Sequence, residues 1–195
     1  IGVQRAIVSA DRILRSGWQG ARLEFMGSDL ARKTVGIVGI GNIGTRLAGI
    51  CSQGFGCTVL AADPYLEEAE IKTRGARAVT LDELLQQADI VSVHTPLTRA
   101  TRVLFDAKVF AQMKAGAVFI NTARGSIHDE DALADALASG HLGGAGLDVW
   151  DVEPPQPDHR LMQMKNVIAT PHVAGCTSDS LQNMAERAAT QLLDI

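Results

Sequence analysis

A glycine pattern that follows a short apolar run constrains this chain more than any other feature. Gly39, Gly41 and Gly44 form a G-x-G-x-x-G sequence, preceded by the run TVGIV and followed by a helical pattern over residues 42–55. In a strand–turn–helix unit, such glycines allow a tight turn, a close approach of the backbone to a ligand, and close packing of helix on strand. Free N–H groups at a helix N-terminus attract anions. The pattern therefore predicts a pyrophosphate site over residues 39–44, including Asn42 and Ile43.

Apolar runs typical of strands alternate with helical patterns along the rest of the chain. Strands are predicted at 34–39, 57–62, 76–79, 89–94, 117–121, 144–149 and 167–170, and helices at 2–15, 42–55, 67–74, 81–88, 106–113, 129–139 and 177–193. This alternation is typical of βαβ units. It predicts an α/β fold with a doubly wound parallel sheet, the three-layer αβα arrangement of a Rossmann fold. Only 4% of the 195 residues are aromatic, so the core should rest on Ala, Val, Ile and Leu.

Asp63 ends the second predicted strand, 19 residues after Gly44. A carboxylate at this position accepts hydrogen bonds from the ribose diol of a dinucleotide and repels a 2′-phosphate. The next residues are Pro64 and Tyr65, and no arginine follows directly. The arrangement predicts NAD rather than NADP as the cofactor, the alternative being a surface aspartate that opens a turn.

Short segments that contain polar side chains follow four of the later predicted strands. They are His94, Thr95 and Pro96 after one strand, Thr122, Ala123 and Arg124 after the next, then Asp148, and finally His172, Ala174 and Gly175. Because ligands bind beyond the carboxyl ends of the strands in open parallel sheets, we expect these groups to form one site.

The motifs GIVGIGNIG, AADPY, VSVHTPLT, FINTARGS, GAGLDVWDVEPP and TPHVAG occur in this order along the chain. In this series the chain resembles the nucleotide-binding domain of the D-isomer-specific 2-hydroxyacid dehydrogenases. The resemblance implies an NAD-dependent oxidoreductase that transfers a hydride between nicotinamide and C2 of a small 2-hydroxy or 2-keto acid.

The resemblance also implies a catalytic set of Arg124, Glu153 and His172. The planar fork of Arg124 would hold the carboxylate and carbonyl of a keto acid. His172 would act as the general acid–base, and Glu153 would hydrogen-bond and orient its ring. The alternatives are an ion-paired structural arginine, a core histidine and a solvated loop glutamate.

Further residues are implied to line the cofactor. Asp148 would face the nicotinamide carboxamide, with a simple strand-end cap as the alternative. The complete cofactor set implied in this way is Gly39, Gly41, Asn42, Ile43, Gly44, Asp63, Thr95, Pro96, Thr122, Ala123, Arg124, Asp148, His172, Ala174 and Gly175.

Members of that family carry a second, discontinuous substrate domain, and its residues do not occur in this chain. We therefore expect residues 1–33 to form a crossing helix and a dimerisation segment, 34–175 the NAD-binding domain, and 176–195 a return helix toward the substrate domain. The chain begins with Ile1 inside a helical pattern, so we expect its natural N-terminus to lie upstream. The chain alone should bind NAD, form a homodimer and turn over little substrate.

The net charge and the cysteine pattern argue against several other classes of protein. The net charge of −4 has no basic stripe, which argues against a nucleic-acid partner, and no apolar run is long enough for a membrane span. Three cysteines without a CxxC pair favour a reduced, cytoplasmic protein. His128, His141 and His159 have no metal-ligand spacing and should lie on the surface. Two other functions stay open: an NAD-sensing corepressor of the same family, and a methyltransferase, which leaves the catalytic set unexplained.

Overall fold

A seven-stranded, all-parallel sheet organises the chain. The computed structural model describes residues 1–193, and the strand order is β3-β2-β1-β4-β5-β6-β7. The strands are β1 Thr34–Val38, β2 Thr58–Ala62, β3 Arg77–Ala78, β4 Ile90–Val93, β5 Val118–Asn121, β6 Gly144–Leu147 and β7 Val167–Ala169. The order reverses direction between β1 and β4, which confirms the predicted doubly wound α/β fold.

Helices connect the strands. They are α1 Ile7–Arg15, α2 Asn42–Gly49, α3 Glu68–Thr73, α4 Leu81–Gln87, α5 Ala107–Gln112, α6 Glu130–Ala138 and α7 Ser178–Leu193. A π-helical turn, Ile50–Gly54, continues α2, and 3₁₀ turns lie at Arg22–Phe25, Gly125–Ile127 and Arg160–Gln163. Side chains cap the N-termini of four of the helices: Thr80 accepts from the Glu83 N–H, Asp106 and Asp129 cap α5 and α6, and Thr177 accepts from the Ser180 N–H at α7. Such caps satisfy N–H groups that the helix itself leaves free.

Two of the helices differ from the prediction by more than one residue at an end or in geometry. The predicted helix over 2–15 begins only at Ile7, because Ala6 has a left-handed φ of 48° and the residues before it form turns. The predicted helix over 42–55 changes from α to π geometry after Gly49. There the Ser52 hydroxyl donates to the Ala48 carbonyl at 2.8 Å, a contact that often bends a helix. The last two residues of the predicted 176–195 region lie outside the described residues.

Alternate strand residues pack into two apolar clusters on opposite faces of the sheet. Val35 and Ile37 belong to the cluster on the α2 side, whereas Val38 belongs to the cluster on the side of α4, α5 and α6. The larger cluster also contains Phe105, Phe110 and Phe119, whose ring centroids lie 4.9–5.8 Å apart. Aliphatic residues dominate the core as predicted, but three of the five phenylalanines stabilise its centre.

The predicted surface placement of three histidines is wrong for His128, which is fully buried, while His141 and His159 are half-buried. The Asn121 side-chain nitrogen lies 3.0 Å from Nδ1 of His128, whereas the buried Nε2 has no hydrogen-bond partner within residues 1–193. Burial lowers the pKa of His128 to about 4, so its ring is neutral at pH 7. Within residues 1–193, no cluster of three metal-ligating side chains occurs. None of the helices there could cross a membrane.

Candidate active site

The turn between β1 and α2 is shaped by its glycines. Gly39 has a left-handed φ of 87°, and a Cβ there would lie 2.8 Å from Thr95 Cγ2. A Cβ on Gly44 would lie 2.5 Å from the Gly39 carbonyl oxygen, so only glycine allows this approach of helix to strand. A Cβ on Gly41 would meet nothing within 4 Å. The backbone at Gly41 therefore faces open space that a ligand can enter.

The N-terminus of α2 is available to an anion. Among the described residues no side chain caps this end, and the first turn contains no acidic residue. Asn42 and Ile43, the first two helical residues, are both exposed. The free N–H groups and the helix dipole can therefore act together on a negatively charged group.

A cavity of about 570 Å³ adjoins this turn at the carboxyl ends of β1, β2 and β4. Its lining includes Gly39, Gly41, Asp63, Thr95 and Pro96. The Thr95 hydroxyl is buried and has no hydrogen-bond partner within residues 1–193. Because leaving a buried hydroxyl unpaired is costly, this atom favours a polar ligand in the cavity. The residues present therefore fit a bound dinucleotide.

The Asp63 carboxylate supports the glycine turn in addition to lining the cavity. One oxygen accepts from the Ile40 N–H at 3.1 Å and the other from the Tyr65 N–H at 3.0 Å. Ile40 has a second contact, because Arg74 Nη1 donates to its carbonyl at 2.6 Å. Ile40 is thus held through both its N–H and its carbonyl. No sequence pattern predicts a role for Arg74, which lies 34 residues after Ile40 along the chain.

His172 and Glu153 are hydrogen-bonded to each other. His172 Nδ1 lies 2.8 Å from Glu153 Oε2, and the other Glu153 oxygen accepts from the Trp150 N–H at 3.0 Å. The bond with His172, followed by that from Trp150, holds the pKa of Glu153 below its ordinary value. Because an ionised carboxylate only accepts, His172 Nδ1 must donate, which leaves Nε2 free for proton exchange. His172 has a left-handed φ of 55°, a strained conformation that is common at functional sites.

Asp148 holds the segment that carries His172. Its buried carboxylate accepts from the Thr170 hydroxyl at 2.5 Å, the Val173 N–H at 2.9 Å and the Ala174 N–H at 2.8 Å. Burial opposes ionisation, but these hydrogen bonds outweigh it and hold the pKa of Asp148 below its ordinary value. Asp148 therefore holds the Thr170 side chain before His172 and the backbone of the two residues after it. The contact between Asp148 and the nicotinamide carboxamide stays a prediction.

Arg124 is exposed on a loop that buried groups hold in place. The Asn121 amide donates to the Arg124 carbonyl at 2.8 Å, and its oxygen accepts from the Ala123 N–H at 2.9 Å. The same amide nitrogen lies 3.0 Å from Nδ1 of the buried His128. The Arg124 guanidinium itself donates to the Ala123 carbonyl at 2.6 Å, and the neighbouring Thr122 is exposed. The guanidinium keeps further donors for a ligand, since arginine has five.

The loop of Arg124 touches the segment that leads to Glu153. A Cβ on Gly125 would overlap the carbonyl of Trp150 and lie 2.6 Å from the Asp151 nitrogen. The two backbones therefore pack directly against each other. The structure thus places Arg124 and the His172–Glu153 pair on adjoining loops at one edge of the sheet. Ala174 and Gly175 follow on the same side and are exposed.

Comparison with known proteins identifies the family. Residues 1–174 match the family described as "D-isomer specific 2-hydroxyacid dehydrogenase, NAD binding domain". The chain belongs to this dehydrogenase family. The predicted resemblance and the predicted NAD cofactor are both confirmed by this match. Nothing in the match assigns roles to individual residues of the dehydrogenase domain.

Relatives of the dehydrogenase domain include enzymes of this family from bacteria. The chain is 44% identical over 172 residues to D-3-phosphoglycerate dehydrogenase of Bacillus subtilis, covering 88% of this chain and 32% of that protein. It is 41% identical over 193 residues to glyoxylate/hydroxypyruvate reductase B of Escherichia coli, covering 98% and 59%. A structure of D-lactate dehydrogenase with NAD+ from Lactobacillus jensenii superposes with a TM-score of 0.83 at 34% identity, covering 95% and 59%. The chain therefore spans well under two thirds of these relatives.

Proposed function

We propose that this chain is the cofactor half of an NAD-dependent oxidoreductase acting on a small 2-hydroxy or 2-keto acid. The observation that carries the proposal is the 2.8 Å hydrogen bond between His172 and Glu153, at the sheet edge that also bears the glycine turn. Family membership supports hydride transfer on acids of this class. Two relatives are named for glyoxylate, hydroxypyruvate and lactate, all of which carry a carboxylate beside the reacting carbon.

Each catalytic residue has one role in this proposal. Arg124 directs its free N–H donors at the carboxylate and carbonyl oxygen of the acid, a pairing that suits a planar fork. His172 Nε2 gives a proton to the carbonyl oxygen on reduction and takes it back from the hydroxyl on oxidation. Glu153 holds Nδ1–H, which fixes the ring orientation and keeps Nε2 as the exchanging atom. NAD supplies or accepts the hydride when bound.

A second domain completes the proposed enzyme. In the full-length form, meaning this chain joined to a substrate domain, that domain would supply further donors to the carboxylate and close the cleft. Without it, Arg124 alone holds the acid and water enters, which weakens every electrostatic contact in the transition state. We propose that the isolated chain binds NADH and turns over little substrate. Oxidation of NADH by the full-length form with glyoxylate, hydroxypyruvate and pyruvate tests the proposed function, and no turnover with any of the three would contradict it.

Asp63 is expected to make the chain prefer NADH to NADPH by at least about tenfold in Kd, because a carboxylate gains hydrogen bonds from a ribose diol and repels a phosphate. Asp63→Asn should narrow this preference. Asp82→Asn, which removes the same charge at an exposed position of α4, should leave it unchanged. Fluorescence titration of both reduced cofactors measures the ratio. Equal or tighter binding of NADPH by the unaltered chain would contradict the role of Asp63.

The region 1–33 carries apolar surface that suits a homodimer. Leu14, Leu23 and Met26 are 67%, 68% and 75% exposed. Trp18 and Phe25 pack on each other with ring centroids 5.2 Å apart. These side chains are not absorbed into the core of their own chain, and a patch of this kind marks interaction sites. We propose that two copies pair through it.

Sedimentation at micromolar concentration is expected to give a dimer. The double change of Leu14 and Leu23 to Asp should give a monomer, since it places charges in the proposed contact. The corresponding change at Leu181 of α7, which is 61% exposed, serves as the control. If the unaltered chain sediments only as a monomer, the proposed dimer is refuted.

A further inference from the structure

Glu130 connects α6 to the loop that carries Glu153. It is the first residue of α6, and only 14% of its side chain is exposed. One carboxylate oxygen accepts from the Asp151 N–H at 2.9 Å, and the other lies 3.0 Å from His159 Nε2. The side chain therefore binds the loop at two points that are eight residues apart in sequence. Neither contact belongs to the proposed proton transfer.

His159 completes this connection from within the loop. Its Nδ1 accepts from the Leu161 N–H at 3.3 Å, so the proton of the neutral ring is on Nε2 and points to Glu130. The ring packs edge-on against Trp150 with centroids 5.8 Å apart. His159 thus joins the far end of the loop both to Glu130 and to the indole that precedes Glu153.

Trp150 connects these contacts to the His172–Glu153 pair. Its N–H donates to Glu153 Oε1 at 3.0 Å, and its indole N–H donates to the Thr170 carbonyl at 3.1 Å. Thr170 lies two residues before His172. The backbone at Asp151 is therefore held by Glu130, while Trp150 donates to Glu153 and to the carbonyl of Thr170, close to His172 in sequence.

We propose that Glu130 and His159 are positioning residues, which fix residues 150–153 so that Glu153 can hold His172. This inference rests on the proposed function, because the orientation of His172 affects the rate only if His172 exchanges the proton. Displacement of a catalytic group by about 1 Å can lower the rate roughly 10²-fold. Without the Glu130 carboxylate the Asp151 N–H loses its acceptor, and the loop no longer has a fixed path beside Trp150.

The test compares kcat and NADH Kd for matched variants of the full-length form. Glu130→Gln keeps the shape of the side chain but places an N–H₂ group against one of its two donors. We expect kcat to fall about 10- to 100-fold with NADH Kd unchanged. Asp131→Asn is the control, because Asp131 is the next residue, is 84% exposed and pairs with Arg160 of the same loop. His159→Gln, which can keep a donor toward Glu130, should retain more activity than His159→Ala.

A second comparison separates positioning from general stability. If Glu130 acts through Glu153, Glu130→Gln should have little further effect on kcat in a Glu153→Gln background. In the 195-residue chain, amide exchange at Trp150 and Asp151 should accelerate in Glu130→Gln. A kcat within about twofold of the unaltered enzyme, or effects of the two changes that multiply, would overturn the inference. Normal turnover in Glu153→Gln and His172→Gln would instead overturn the proposed function itself.

Discussion

In the full-length form, His172→Gln is expected to lower kcat for keto-acid reduction by about 10²–10⁴-fold, the contribution typical of a positioned acid–base group. Glutamine has a similar reach but cannot exchange a proton at the position of Nε2. NADH binding should change far less than kcat, because the glycine turn and Asp63 lie on other loops. His141→Gln is the matched control, since the ring of that half-buried histidine lies away from the site, with Nε2 3.1 Å from the Phe110 carbonyl. The measurement is steady-state NADH oxidation, with NADH Kd determined by fluorescence.

Glu153→Gln should also lower kcat, and by less, because the amide can still accept from His172 but no longer carries the charge. The two residues form one hydrogen-bonded unit, so the double variant should be about as slow as His172→Gln alone. A double variant as slow as the product of the two single effects would show that the residues act independently. Near-normal turnover in His172→Gln would show that another group moves the proton.

Arg124→Lys is expected to lower kcat/KM for the keto acid by about 10²-fold or more, far more than it weakens NADH binding. Hydrogen bonds to charged groups contribute about 1.5–3 kcal/mol each, and about 1.4 kcal/mol is a factor of ten. Lysine keeps the charge but cannot form the two parallel bonds of a guanidinium. Arg77→Lys, at an exposed position of β3 where the guanidinium donates to the Gln87 side chain at 2.9 Å, is the matched control.

The variant should remain folded, because buried groups other than the guanidinium hold the loop. Asn121 donates to the Arg124 carbonyl, and His128 lies against the Asn121 amide. The temperature of unfolding for Arg124→Lys should therefore match that of the unaltered enzyme. A parallel loss of stability and activity would mean that Arg124 has a structural role, and normal kcat/KM would mean that it does not touch the acid.

The sheet could be predicted from the sequence because its signals are local. The apolar run over 89–94 became β4, Ile90–Val93, and the helical pattern over 81–88 became α4, Leu81–Gln87. The ends of the strands can also be read from local sequence. Because the strands are parallel, the residues that follow them, Arg124, Asp148 and His172, lie at one edge of the sheet. In each case the residues that decide the structure lie within a few positions of one another.

The contacts that hold the site could not be predicted in this way. Glu130 meets Asp151 and His159 across 21 and 29 residues, through a loop with no periodic pattern. The contact of the buried His128 with Asn121 is not revealed by a strand pattern. These side chains were unremarkable in the sequence because their partners are set by the path of the loops. Three-dimensional structure is needed to find such partners.

Asp148 illustrates the intermediate case. Its place at the end of β6 is readable from the sequence, and its three donors are not, because they lie 22 to 26 residues further along the chain. The resemblance assigns it to nicotinamide, and the structure shows in addition that it holds the Thr170 side chain and the backbone of the two residues after His172. Each carboxylate oxygen can accept two hydrogen bonds, so Oδ2, with one donor, keeps capacity for a ligand.

Transfer of deuterium from NADH tests the central claim most directly. The full-length form is incubated with hydroxypyruvate and NADH that carries deuterium at C4 of the nicotinamide, and the product is analysed by mass spectrometry and NMR. The account predicts deuterium at C2 of the hydroxy acid, and at least about a hundredfold slower transfer in His172→Gln and Arg124→Lys. Absence of deuterium at C2, or transfer at the normal rate in both variants, would contradict it.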